Sequence, residues 1–161
     1  MKISIVIIFL VFSYNLYANE CISGNCKNGY GTFKFDDGTK YIGEHKNNVA
    51  DGKGEIIYSD GSKYEGEFKN DKLHGKGTFY YEDGTIYKGE FKNNQITGEG
   101  TIMWTTGEKY IGKVKNELMH GEGTLFFPEG DKYVGEFKKD MFHGKGSYFH
   151  NDGRVEKGTW K

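Results

Sequence analysis

Short runs of alternating apolar and polar residues recur along the chain, and each pair of runs flanks a turn, usually containing Asp and Gly. In residues 31–46, the run GTFKF precedes the turn DDG, and TKYIGEHK follows it. Alternation with a period of two is typical of half-buried strands. Asp-Gly between two such runs is a strong hairpin signal. The pattern therefore predicts a series of β-hairpins.

The positions of the aromatic residues predict the length of the hairpin loop. A three-residue loop over 36–38 places Phe33 opposite Tyr41 and Gly31 opposite Gly43. Because opposed residues of antiparallel strands point to the same face, the aromatic side chains then share one face. A loop of two or four residues would divide them between the faces. We expect the three-residue loop, with its glycine at the positive φ that a bulged turn requires.

A unit of 23 residues is repeated six times between residues 29 and 161, without insertion or deletion and with a truncated last copy. Such a period indicates a stacked repeat architecture, in which one unit cannot bury its apolar face alone. Each second strand carries a tyrosine followed two residues later by a glycine. This pair defines five copies, at Tyr41 and Gly43, Tyr64 and Gly66, Tyr87 and Gly89, Tyr110 and Gly112, and Tyr133 and Gly135.

The alternation divides the side chains between two faces of the predicted sheet. The first face collects apolar side chains from every copy, among them Phe33, Ile56, Phe79, Ile102 and Leu125. One further apolar residue lies between successive copies, at Ala50, Leu73, Ile96, Met119 and Phe142. We expect these five residues to lie in loops that fold back over the first face. The predicted fold class is therefore all-β.

The second face is polar in the first half of the chain and changes in the second half. There it carries five apolar residues, which we call the apolar patch: Met103, Ile111, Phe126, Val134 and Phe149. Contiguous exposed apolar surface usually marks a binding site. The patch therefore predicts contact with another protein or with a second copy in a homodimer. The alternative is that sheet twist or a loop covers these residues.

A lysine lies near the end of every second strand, and we call this set the lysine row: Lys46, Lys69, Lys92, Lys115, Lys138 and Lys161. One interpretation is a peripheral membrane module that binds anionic lipid. The other is that lysines keep strand ends soluble and discourage edge pairing. A parallel row of glutamates, each two residues before a lysine, favours the second interpretation through solvated ion pairs: Glu44, Glu67, Glu90 and Glu136.

Titratable side chains recur in rows of like groups, whereas an enzyme needs unlike groups that converge on one point. His74, His120 and His143 share one repeat position, and equivalent residues of adjacent copies lie about 9–10 Å apart for strands spaced ~4.8 Å, so that two cannot bind one zinc ion. His45 and His150 have no evident partner. We predict no catalytic residue, no metal and no cofactor. Exposed aromatic residues leave glycan binding as a weaker alternative.

Composition narrows the function classes further. A net charge of −1 argues against a nucleic-acid partner, because such proteins need a basic face to displace counterions from phosphates. Aromatic residues make up 16% of the chain, which argues against disorder. The prediction that remains is a folded, non-catalytic scaffold for interaction with a protein or with lipid.

Residues 1–18, MKISIVIIFLVFSYNLYA, have the layout of a secretory signal peptide: one lysine, an apolar run over 3–12, and a small residue at the end. That run is shorter than the ~20 residues of a membrane-spanning helix. We expect export to the periplasm or outside the cell, with cleavage after Ala18; the alternative is an uncleaved anchor. Cys21 and Cys26 are expected to form a disulfide in an oxidising compartment. Residues 19–28 are then an N-terminal cap, and 29–161 the repeats.

The stretch YEGEFKNDKLHGKGT at 64–78 resembles the MORN repeat, the membrane occupation and recognition nexus motif. The resemblance extends over residues 29–161, and CISGNCKNGYG at 21–31 is similar to the start of exported bacterial members. It implies an elongated, twisted, single-layer antiparallel sheet of six hairpin repeats, and a role in protein interaction or membrane binding. Three positions depart from the pattern: Thr106 replaces the turn Asp, Lys113 replaces Glu, and Glu156 replaces Tyr.

Overall fold

The computed structural model describes residues 19–161, which form thirteen strands and no helix. The strands are β1 Glu20–Gly24, β2 Gly29–Lys34, β3 Lys40–Lys46, β4 Val49–Ile57, β5 Lys63–Lys69, β6 Lys72–Tyr80, β7 Ile86–Lys92, β8 Gln95–Met103, β9 Lys109–Lys115, β10 Leu118–Phe126, β11 Lys132–Lys138, β12 Met141–Phe149 and β13 Val155–Trp160. They form one antiparallel sheet in chain order, from β1 to β13. The predicted all-β fold of hairpin repeats is confirmed.

The described chain divides into two compact units, one of residues 19–82 and 91–94 and the other of residues 83–90 and 95–161. No helix that could span a bilayer occurs in residues 19–161. The predicted signal peptide, residues 1–18, lies outside the described residues, as does the predicted cleavage after Ala18.

The Asp-Gly hairpins have the predicted three-residue loop. In β2 and β3, Phe33 lies opposite Tyr41 and Gly31 lies opposite Gly43. The loop closes with the Gly38 N–H donating to the carbonyl of Phe35 at 3.1 Å, and Gly38 has a φ of 91°. Such a bulged turn favours glycine because it has no Cβ to clash at positive φ. The register and the loop length are both confirmed.

The prediction of loops between the copies is wrong, because tight turns join the copies instead. Asn47 and Asn48, between β3 and β4, have φ values of 52° and 66°. Two consecutive residues at positive φ make the type I′ turn, which suits the twist of a two-residue hairpin. The same turn recurs at Asn70 and Asp71, Asn93 and Asn94, Asn116 and Glu117, and Lys139 and Asp140. Asn and Asp tolerate this conformation better than most residues, so the recurring Asn was a signal for the turn.

A bulge follows each tight turn and returns the next strand to register. Between β3 and β4, His45 pairs with Ala50 and Gly43 with Gly54, so residues 51–53 oppose one residue of β3. The bulge brings the apolar residue after each turn to the first face, as expected. Exposure is 8% for Ala50, 7% for Leu73, 1% for Ile96 and 3% for Met119, while Phe142 is half-buried.

In the core of the sheet, tyrosine rings lie over pairs of glycines on adjacent strands. A Cβ atom added to Gly77 would lie 2.4 Å from the Tyr64 ring, so only glycine fits beneath it. Each hydroxyl donates to a backbone carbonyl three residues on, as Tyr110 does to Lys113 at 2.8 Å. The five tyrosines, Tyr41, Tyr64, Tyr87, Tyr110 and Tyr133, are at most 3% exposed. Burial raises the pKa of the Tyr87 hydroxyl to about 12.

A second aromatic residue packs between successive tyrosines. The Phe68 ring lies 4.8 Å from that of Tyr41 and 5.2 Å from that of Tyr64, in edge-to-face geometry. In the first copy His45 holds this position, 5.0 Å from the Tyr41 ring, with Nδ1 at 3.1 Å from the carbonyl oxygen of Gly43. The expectation that His45 lacks a partner is therefore wrong: it is a buried core residue.

The two ends of the sheet differ in what covers their glycines. The predicted disulfide joins Cys21 and Cys26, with Cα atoms 5.9 Å apart. The Cys26 sulfur lies 2.8 Å from where a Cβ of Gly31 would be, so it covers this glycine as a tyrosine ring covers the others. At β13, Glu156 takes the tyrosine position, and Gly158 has no described atom within 4 Å of its Cβ position.

This difference predicts that substitution of two equivalent glycines changes the free energy of unfolding to different extents. Gly135→Ala places a methyl group 2.5 Å from the Gly146 Cα and 2.6 Å from the Tyr133 hydroxyl oxygen. It should lower the free energy of unfolding by about 1–3 kcal/mol, because overpacking forces the neighbours apart. Gly158→Ala is the matched control and should change it by less than about 0.5 kcal/mol. Denaturant unfolding of both variants checks this, and equal losses would contradict the packing described.

Candidate functional site

The apolar patch lies on the second face of strands β8 to β12, in two rows that cross the strands. One row contains Ile111 and Val134, which flank Thr124 of β10 on either side. The other row alternates apolar residues with lysines, in the order Met103, Lys109, Phe126, Lys132 and Phe149. The structure therefore brings the five predicted residues onto one face, but it places lysines between three of them.

Four of the five patch residues are exposed. Met103, Ile111, Phe126 and Val134 have 36%, 43%, 37% and 40% of their surface accessible. Phe149 is half-buried, and the Lys132 ammonium lies 4.9 Å from its ring centroid. This is a cation–π contact. Within residues 19–161, neither a loop nor sheet curvature covers the four exposed residues.

A shallow groove of about 570 Å³ crosses the same face. Its floor is the backbone of four residues on adjacent strands, whose Cβ positions point to the opposite face, toward the tyrosine rings: Gly100, Gly112, Gly123 and Gly135. Its walls are Thr101, Ile111, Thr124 and Val134, and two carboxylates, Glu99 and Glu122, border it. Sequence reasoning missed the groove. The groove lies between two rows of side chains, Glu99 and Glu122 on one side and Ile111 and Val134 on the other, which only the register between strands brings together.

The lysine row lies beside the tight turns. Its first five members are the last residues of β3, β5, β7, β9 and β11, Lys161 follows β13, and all six side chains are exposed. The glutamates expected to pair with them have another role. The Glu67 Oε1 accepts from the Lys76 N–H at 3.2 Å, and the Glu136 Oε1 accepts from the Lys145 N–H at 2.9 Å. They hold the bulges, and no salt bridge joins the two rows within residues 19–161.

The histidines do not assemble a metal centre. His74, His120 and His143 lie in the bulged segments, and the described residues contain no group of three or more metal-binding side chains. His150, expected to lack a partner, has two: its Nε2 lies 2.8 Å from Glu156 and its Nδ1 lies 3.6 Å from Asp131. That expectation is wrong because the residues concerned come from different strands and a turn.

Comparison with known proteins agrees with the periodicity. The family model of the MORN repeat matches residues 24–40, 41–63, 64–86, 87–109, 110–132 and 133–154. The chain belongs to the MORN-repeat family. MORN repeats form scaffolds for protein interaction or membrane association and are generally not enzymes. No curated protein sequence matches this MORN protein.

Two solved structures resemble the MORN sheet weakly. One is the TCP10 domain of Danio rerio CPAP in complex with a STIL peptide, at 14% identity and a TM-score of 0.35 over 81% of this chain and 54% of that one. The other is the SAS-4 (dCPAP) TCP domain of Drosophila melanogaster in complex with a proline-rich motif of Ana2 (dSTIL), at 13% identity and a TM-score of 0.41 over 99% and 98%. This chain spans about half the length of the first. Likenesses of this size carry no argument about function.

Proposed function

We propose that this MORN protein is an exported, non-catalytic scaffold that binds another protein through the apolar patch. The observation that carries the proposal is the 36–43% exposure of four large apolar side chains on one face of β8 to β11. Aromatic residues and methionine are enriched at the centres of protein interfaces, where they anchor into pockets of the partner. The hydrophobic leader of residues 1–18 and the Cys21–Cys26 disulfide support export.

The arrangement of the patch suits a partner with mixed chemistry. Lys109 and Lys132 separate Met103, Phe126 and Phe149 along their row. A partner that covers this row would therefore bury its apolar side chains and contact the lysine ammonium groups that lie between them. The charge pattern discourages non-specific aggregation, because bringing lysines together without a partner charge is unfavourable. The patch is thus better suited to a specific partner than to self-association.

Photo-crosslinking tests this proposal. A photo-reactive residue at Ile111 of the exported chain, in the cells that make it, should give one discrete protein adduct. Phe126→Ser should reduce the adduct at least about tenfold, because loss of an interface hot spot costs about 2 kcal/mol or more. The control is Tyr30→Ser, since Tyr30 is 65% exposed but lies on β2, away from the patch. No adduct at Ile111, or the same yield after Phe126→Ser, would contradict the proposal.

Anionic lipid remains a second candidate because of the lysine row. All six side chains are exposed and none forms a salt bridge within residues 19–161, so their charges are available to a surface. Each basic side chain close to an anionic membrane contributes about 1 kcal/mol of attraction. A row of such charges suffices for reversible association at low salt.

Vesicle co-sedimentation tests the lipid candidate. Binding to anionic but not neutral vesicles at low salt, lost at high salt, would support it, since salt screens exposed charges. Changing Lys69, Lys92 and Lys115 to Glu together should then weaken binding at least about tenfold. The matched control reverses three exposed lysines elsewhere, Lys53, Lys76 and Lys145, and should retain most of the binding. No binding at low salt would exclude the lysine row as a lipid site.

A further inference from the structure

The charges bordering the groove on β8 to β11 are not balanced in the way that charges are balanced elsewhere on the second face. Lys53 lies opposite Glu67, and Glu99 lies opposite Lys113. Opposite charges at directly opposed positions stabilise a sheet, whereas like charges destabilise it. Farther along the same row, however, Glu122 lies directly opposite Glu136. Two carboxylates therefore share one position on an exposed face.

The chain contains a second opposed pair of glutamates, and there it provides its own cation. Glu55 lies opposite Glu65, and the Lys63 ammonium is 3.5 Å from the Glu55 carboxylate and hydrogen-bonded to that of Glu65. This contact lowers the pKa of the Glu65 carboxyl and raises the pKa of Lys63. The Lys63 ammonium also lies 4.8 Å from the Tyr80 ring centroid.

The corresponding cation is missing beside the groove. Lys63 precedes Glu65 by two residues, whereas the residue two before Glu136 is Val134. Neither Glu122 nor Glu136 forms a salt bridge with any residue of the described range 19–161. Glu136 is held in place by the Lys145 N–H, and Glu122 is exposed at the groove border. The apolar residue Val134 thus precedes Glu136 at the spacing at which Lys63 precedes Glu65.

We propose that the groove and the Glu122–Glu136 pair together recognise a lysine or arginine side chain of a partner protein segment. The aliphatic stem would lie over Ile111 and Val134, and the charged end would lie between the two carboxylates, as Lys63 lies between Glu55 and Glu65. Long basic side chains bury their stems on apolar surface while their charge stays at a polar site. This inference rests on the proposed protein-binding function and specifies the chemistry of the partner.

The direct test uses the full chain and a synthetic probe, the peptide acetyl-Thr-Val-Lys-Val-Thr-amide, followed by amide chemical shifts. Titration should shift residues bordering the groove, and a norleucine version, which keeps the stem but lacks the charge, should bind at least tenfold more weakly. Glu122→Gln should weaken the lysine peptide about tenfold. Glu55→Gln, the same change in the pair that already has a lysine, should leave its affinity unchanged. Equal binding of the two peptides, no binding at millimolar concentration, or no effect of Glu122→Gln would overturn the proposal.

A second variant separates this inference from the proposed function. Val134→Lys puts a lysine where Lys63 stands relative to its pair, so it should raise the unfolding midpoint and abolish lysine-peptide binding. If the Ile111 crosslink to the natural partner persists in Glu122→Gln at full yield, protein binding stands and basic side-chain recognition fails. If no crosslink forms in the unchanged chain, the proposed function itself fails, whatever the peptide does.

Discussion

The packing of a tyrosine ring over two facing glycines is the contact on which the rest of the structure depends. The ring occupies the space that two side chains would otherwise fill, and its hydroxyl donates to a carbonyl three residues on in the same strand, as Tyr64 does to Glu67 at 3.0 Å. An apolar side chain then fits between consecutive rings, as Phe137 does 5.1 Å from Tyr110 and 5.2 Å from Tyr133, and the buried Val114 holds this position one copy earlier. Each ring therefore needs the next copy, which explains why the chain repeats one unit without insertion.

This packing places the core on one face of the sheet. The tyrosines, the aromatic residues between them and the residues after the tight turns all lie on the first face, whereas the second face contributes the glutamates that hold the bulges, such as Glu67 and Glu136. In residues 19–82 that face contains the ion pairs of Lys63 with Glu55 and Glu65. In residues 95–161 it carries exposed apolar side chains, a groove and the opposed carboxylates of Glu122 and Glu136. The second face of residues 95–161 is therefore the surface available to a partner.

Sequence patterns predicted the features that depend only on residues close together in the chain. The pairing of Phe33 with Tyr41 follows from where aromatic residues fall on either side of a turn, and the Cys21–Cys26 disulfide follows from two nearby cysteines. The tight turns were missed because Asn47 and Asn48 were not considered as a positive-φ pair. The partners of His150 and the groove were missed because they depend on the register between neighbouring strands, which the bulges reset in every copy.

The most direct measurement is a double-mutant cycle between Tyr110 and Gly123, followed by denaturant unfolding. A Cβ atom on Gly123 would meet only the Tyr110 ring, at 2.5–2.7 Å, among its three nearest atoms. Gly123→Ala should therefore be costly in the unchanged chain and nearly neutral once Tyr110 is alanine, with a coupling of at least about 1 kcal/mol. Additive effects of the two substitutions would contradict the claim that the ring and the glycines form one structural unit.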